Sequence, residues 1–187
     1  MAAMALTQGS EDPITRRILE GDYRDAIAMC AREHGAAIGR LCMAMLGSQA
    51  EAEETVQETL ITAHGALASY RGEGSVRAWL FGIARRLCAR RIETRVRRDR
   101  KLRLVHDATA DAGQPDDVVE RRRRARRVRA ALEELKPSER DVVVLRYESG
   151  LSYREIAEAV GIDEAAARKR TSRALGRLRL ILKDEVK

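Results

Sequence analysis

The chain has 187 residues, with 36 Lys and Arg against 29 Asp and Glu, and a formal net charge of +7 at neutral pH. That length suits one ordinary domain or two small helical ones rather than one large core, and the basic surplus points to a polyanion, either nucleic acid or an anionic membrane surface. Cys30, Cys42 and Cys88 are scattered without a C-x-x-C spacing, which speaks against a disulfide scaffold or closed zinc site and for buried thiols. No apolar run suits a secretory signal or a membrane span, so a cytoplasmic protein without stable membrane insertion is expected.

Ala, Leu, Arg and Glu dominate, Pro occurs only at positions 13, 115 and 137, and β-branched runs are short, so the fold class is all-α. Over residues 14–46 the apolar positions Ile18, Ile27, Cys30, Ile38, Leu41, Met45 and Leu46 recur at helical spacing around Gly21, Gly35 and Gly39, where a break or bend is expected. A second helix over residues 50–68 carries Glu51, Glu53, Glu54 and Glu58 in its first half, where acids complement the helix dipole. Its buried stripe is Val56, Leu60, Ala63 and Leu67. Residues 70–75, YRGEGS, form a turn by their two glycines, and Ser75 caps the long helix that follows. On that helix Val76, Leu80, Ile83, Leu87, Ile92 and Val96 lie near one face with Trp79 beside it, while Arg77, Arg85, Arg86, Arg90, Arg91, Arg95, Arg97 and Arg98 cover much of the rest.

Residues 107–117, DATADAGQPDD, carry almost no large apolar side chain and are acidic. They read as a flexible linker with low amide protection. The chain thus divides into two small helical domains, residues 1–106 and 118–187, with helices in the second over 118–135, 138–148, 153–160 and 164–183.

Within that second domain Ser152 followed by Glu155 is a capping-box signature, and Tyr153, Ile156, Ala157 and Val160 supply apolar contacts for a short helix. Gly161 breaks it, and Asp163 caps a second helix. There Ala167, Thr171, Ala174, Leu178 and Ile181 trace the inward stripe, leaving Glu164, Arg168, Lys169, Ser172 and Arg173 outward. Two helices joined by a glycine turn, the second one basic, match a helix-turn-helix that inserts a helix into a major groove roughly 12 Å wide. Ala165 and Ala166 near the tip permit close approach. Helical bundles without any DNA role use the same turn, so the basic outward face is what favours DNA. Arg177 and Arg179, two or more turns later, are expected at the phosphate flank or in solvent.

The same residues carry a family likeness. LKPSERDVVVLRYESGLSYREIAEAVGIDEAAARKRTSRALGRLR, residues 135–179, resembles the C-terminal domain of the extracytoplasmic-function (ECF) sigma factors of bacterial RNA polymerase. EAEETVQETLITAHGALASYRGEGSVRAWLFGIARRLCARR, residues 51–91, resembles their promoter-melting domain, and the order of the blocks agrees. The resemblance implies a factor without enzymatic activity, cofactor or metal that joins core RNA polymerase and directs it to promoter DNA. It implies docking on a coiled coil of the largest subunit through Glu51, Glu54, Gln57 and Glu58, although acids in a first helical turn have the dipole alone as sufficient reason. It also implies contact of the C-terminal domain with a flap of the second-largest subunit.

For the melted downstream element the resemblance implies Tyr70, Arg71, Arg77, Arg85, Arg86 and Arg90, with arginines tracking phosphates and rings stacking on unpaired bases. Tyr70, at a turn, is the stacking candidate, whereas Trp79 beside Leu80 and Ile83 fits the core. For the upstream element it implies Arg168, Lys169, Ser172 and Arg173. A regulatory anti-sigma partner is implied as well.

Several positions depart from the family pattern. Glu51 and Glu54 stand where aspartate is usual, and Thr55 replaces a leucine, which is expected to weaken local packing. Arg86 and Arg91 replace asparagine and aspartate, offering donors only and trading base readout for phosphate attraction. A repressor acting alone as a dimer would need a dimerisation surface and a palindromic site. An RNA-binding or membrane-surface protein using the arginine helix would leave the cap-and-glycine geometry unused. His34, His64 and His106 lie in unrelated contexts and give catalysis little support.

Overall fold

The computed structural model describes residues 12–72, 74–102 and 117–184, and every regular element among them is helical. The first helix starts where the sequence chemistry allows it. Asp12 accepts hydrogen bonds from the backbone N–H groups of Ile14 and Thr15, and Pro13 takes a first-turn position whose N–H has no helical partner. α1 (Pro13–Leu19) ends before Gly21. That expected break is present, but Gly35 and Gly39 interrupt nothing, because α2 (Tyr23–Leu46) runs straight through both. Gly47, at φ +77°, closes α2 in the left-handed conformation that glycine adopts without steric cost. Ser48 then opens α3 (Gln49–Ala66), which runs into a short 3-10 turn, Leu67–Ser69.

The buried stripe of α3 is Ala52, Thr55, Thr59 and Ala63, continued by Leu67 in the 3-10 turn, whereas Val56 and Leu60 sit half-buried at its edge, a correction to the expected centre of that face. Threonine is tolerated there because each hydroxyl donates to a carbonyl one turn back, Thr55 to Glu51 and Thr59 to Thr55, both at 2.6 Å. Thr55 therefore leaves no unsatisfied hydroxyl where the family pattern has leucine.

α4 (Val76–Leu102) is capped by Ser75, whose hydroxyl accepts from the Ala78 N–H at 2.9 Å. Val76, Leu80, Ile83 and Leu87 are buried and Ile92 is half-buried as expected, but Val96 is 58% exposed. By that point α4 has outrun its cover, since Glu93, Thr94, Arg97 and Arg98 are exposed too. At its start the same helix is buried on a second face by Ala78, Phe81 and Ala84. All three cysteines are buried free thiols, those of Cys42 and Cys88 lying 3.7 Å apart between α2 and α4.

The second face of α4 is covered by the C-terminal subdomain, α5 (Asp117–Glu133), α6 (Pro137–Tyr147), α7 (Tyr153–Val160) and α8 (Glu164–Asp184). α8 packs against α5, α6 and α7, while α7 lies on α4 and α6 touches α2 and α4. Buried side chains from both subdomains form one continuous cluster. Gly82 makes the approach possible: a Cβ there would stand 3.1 Å from the Ala159 carbonyl oxygen. The fold is thus all-α, two helical subdomains joined by a linker, but the subdomains are docked on each other. Of the expected linker, residues 107–116 lie outside the described residues and Asp117 opens α5. No helix among the described residues is long and apolar enough to cross a membrane.

Candidate nucleic-acid interface

The α7–α8 pair is built by three local devices. Ser152 Oγ accepts from the Glu155 N–H at 3.2 Å, and the Glu155 carboxylate accepts from the Ser152 N–H at 2.7 Å. Gly161 turns the chain at φ +71°, and Asp163 Oδ1 accepts from the Ala166 N–H at 2.7 Å to start α8. Ala167, Thr171 and Ala174 are fully buried, and Leu178 and Ile181 pack on the core. The outward face consequently presents Arg168, Lys169, Ser172 and Arg173, all exposed.

Arg168 is nonetheless held. Its Nη2 donates to Glu164 Oε1 at 2.7 Å, and its guanidinium lies over the Tyr153 ring at 5.0 Å from the centroid. Arg146 lies over the same ring at 4.8 Å and donates to the Leu151 carbonyl. Arg177, expected at the phosphate flank or in solvent, is exposed and donates to Glu139 at 2.7 Å, tying α8 to the start of α6.

The residues expected on the downstream strand are divided. Arg71, Arg86 and Arg90 are exposed. Partial burial of the guanidinium, and then the neighbouring Arg85, lower the pKa of Arg86. The Tyr70 hydroxyl donates to the Gly74 carbonyl at 3.0 Å, and its ring packs on Trp79 with centroids 5.4 Å apart, closing the loop on itself. Arg77 donates to Glu155 at 3.0 Å and to the Ser149 carbonyl at 2.7 Å, and Arg85 donates to Asp141 at 2.8 Å. Glu158 accepts from the Ser75 N–H at 3.0 Å. Arg77 and Arg85 are thus occupied by the C-terminal subdomain.

The two carboxylates in these pairs respond differently. Burial pushes the Asp141 carboxyl above its ordinary value despite the attraction of Arg85. Burial acts the same way on Glu155, but hydrogen bonds from the Ser152 N–H and hydroxyl and the Arg77 guanidinium outweigh it and hold that carboxyl low.

On the acidic face, Arg91 bridges Glu54 and Glu58 at 2.9 and 3.1 Å. Arg95 donates to the Leu46 carbonyl and lies 3.7 Å from Glu51, while Gln57 is exposed. Arg91, which stands at a position expected to face the promoter, is therefore turned onto α3. Sequence reading missed Tyr153, taken only as an apolar contact, together with Asp141 and Glu158 as partners of the N-terminal subdomain. The Arg85–Asp141 and Ser75–Glu158 partners are 56 and 83 residues apart in the chain, and no local pattern announces them. Among the described residues no cluster of His, Cys, Asp and Glu could hold a metal ion.

Two family models match in the order of the subdomains: Sigma-70 region 2 over residues 30–98 and Sigma-70, region 4 over residues 125–178. The ECF RNA polymerase sigma factor SigG of Mycobacterium tuberculosis is 31% identical over 163 residues, covering 75% of this chain, but the chain spans only 44% of that protein's length. SigL of the same species, also an ECF RNA polymerase sigma factor, is 32% identical over 158 residues, covering 81% of this chain and 86% of SigL. Among solved structures, the sigma factor RpoE in complex with the anti-sigma factor NepR from Bartonella quintana superposes with a TM-score of 0.62 at 25% identity, covering 83% of this chain and 96% of RpoE. The chain belongs to the ECF RNA polymerase sigma factors.

Proposed function

We propose that this sigma factor joins core RNA polymerase and directs it to promoters, with α7 and α8 acting as a helix-turn-helix on the upstream element. The observation that carries this reading is the exposed basic face of α8, standing on a capped α7 and a left-handed Gly161. Arg168, Lys169, Ser172 and Arg173 meet the duplex. Residues 1–106 dock on polymerase through Glu51, Glu54, Gln57 and Glu58 and hold the melted downstream strand through Tyr70, Arg71, Arg77, Arg85, Arg86 and Arg90. Residues 107–117 join them to the upstream-binding residues 118–187. Because Arg77 and Arg85 are held by Glu155 and Asp141, capture of that strand requires the subdomains to part. A sigma factor carries no reaction of its own, and the chain is not an enzyme.

An anti-sigma protein is the proposed regulator. α2, α5 and Glu148 after α6 line a groove of about 440 Å³ with Met43, Ala44, Val128 and Leu132 and, on its charged side, Arg40, Arg124 and Arg129 against Glu148, a net positive lining that suits an acidic amphipathic segment. The likeness to RpoE, solved with an anti-sigma factor, supports the same partner class.

The test is reconstitution of the full chain with core RNA polymerase on promoter fragments. Co-elution with core, and transcripts that core alone does not start, are expected. A chain that ignores core polymerase but binds a palindromic duplex as a dimer overturns this reading in favour of a repressor.

A further inference from the structure

We propose that Tyr153 sets how selectively the upstream element is read, by holding the Arg168 guanidinium over its ring while leaving an edge of that guanidinium for a base. The proposal rests on α8 being the recognition helix. Tyr153 opens α7 and packs half-buried against the core, so its ring is anchored rather than adrift on the surface. Arg168, from α8, and Arg146, from the last turn of α6, lie over that ring at 5.0 and 4.8 Å. One aromatic side chain therefore organises cations from the two helices that flank its own.

The two partners of Arg168 act on different parts of it. Attraction to a ring quadrupole consumes no N–H group, whereas recognition of a guanine edge uses two coplanar N–H donors. The ring contact is thus compatible with base readout. Glu164 does the opposite, taking the Nη2 donor at 2.7 Å. That pair is exposed, 62% and 48% for the two side chains, and exposed pairs are weak and screened by salt. Arrival of a duplex exchanges the carboxylate for a base while the ring stays in place. Arginine has many rotamers, and a ring that restricts them beforehand lowers the ordering cost of binding. Tyr153 is in this sense a positioning residue that acts through Arg168.

The full chain, assembled with core RNA polymerase, is challenged with a duplex library randomised across the upstream element, and base preference is read position by position. Arg168→Ala marks the position whose preference it flattens. Tyr153→Leu is expected to flatten the same position by about two- to fivefold and to add little to Arg168→Ala in the double variant. Tyr153→Phe, which keeps the ring, is expected to retain the preference. The proposal is overturned if Tyr153→Leu lowers only melting temperature or binding to all sequences alike, or if Tyr153→Phe loses the preference as Leu does. A position flattened by Arg168→Ala and untouched by Tyr153→Leu overturns this proposal alone. If Arg168→Ala flattens no position, base readout by that arginine falls and the role of Tyr153 falls with it.

Discussion

His34 shows how one buried side chain ties this fold to pH. It is 8% exposed on α2 and lines a polar cleft of about 310 Å³ with Asp12, Glu33, Arg77, Glu155 and Glu158. Burial pushes its imidazole below the ordinary value of 6.5, outweighing the attraction of Glu33. The unfolded chain consequently takes up the proton more readily than the folded one. The contribution to stability is intact above the ordinary value and is lost as pH falls through it toward the folded value. Melting temperature is expected to drop as pH falls below the ordinary value of 6.5, and to drop less in His34→Gln. An identical decline in both proteins, followed by differential scanning calorimetry, would assign the effect elsewhere. Glu155, held below its ordinary 4.5, loses its contribution only in more acidic solution, so the two windows are separable.

At the scale of helices, the contact between α3 and α4 changes how a docking test has to be built. Arg91 bridges Glu54 and Glu58, so reversing either acid removes a carboxylate from the face and also leaves Arg91 beside a new cation. Weakened polymerase binding in Glu58→Arg alone therefore has two causes. Glu58→Gln, which removes the charge while Arg91 keeps its pair with Glu54, is expected to leave melting nearly unchanged while association with core polymerase weakens. Gln57→Arg, at an exposed position on the same helix, is expected to weaken association without changing melting. Undiminished polymerase binding in Glu58→Gln would rule out Glu58 as a docking residue. The readouts are co-elution with core enzyme and thermal melting of the free chain.

For the molecule as a whole, the docked arrangement depends on a close approach at one glycine. Around Gly82 and Ala159 stand the contacts of Arg77 with Glu155, Arg85 with Asp141 and Ser75 with Glu158. Gly82→Val places side-chain atoms against a backbone oxygen that has no rotamer to escape into. It is expected to separate α7 from α4, raising the radius of gyration in small-angle X-ray scattering while helical content is retained. Affinity of the free chain for single-stranded downstream DNA should rise as Arg77 and Arg85 are released, and Gly82→Ala should show the same changes in smaller measure. An unchanged radius in both variants would mean that the interface tolerates the added carbons.

Helix identity, and the ends of α7 with the start of α8, were legible from the chain itself, because they depend on neighbours within four residues. Ser152 with Glu155, then Gly161 and Asp163, specified α7 and the start of α8 to the residue, and the inward stripe of α8 followed from spacing alone. The acidic and arginine faces were equally legible as composition. What each charge does was not. Whether Arg91 faces solvent or Glu54, whether Arg177 is spare or holds Glu139, and whether Arg85 is exposed or sealed by Asp141 depends on which helices meet. The same holds for the second buried face of α4: Phe81 and Gly82 acquire a role only because α7 lies on them. Periodicity reports that a residue lies on a face of its own helix, but the partner of that face is selected by packing between segments far apart in the chain, where shape and charge over the whole surface compete and no short pattern records the outcome.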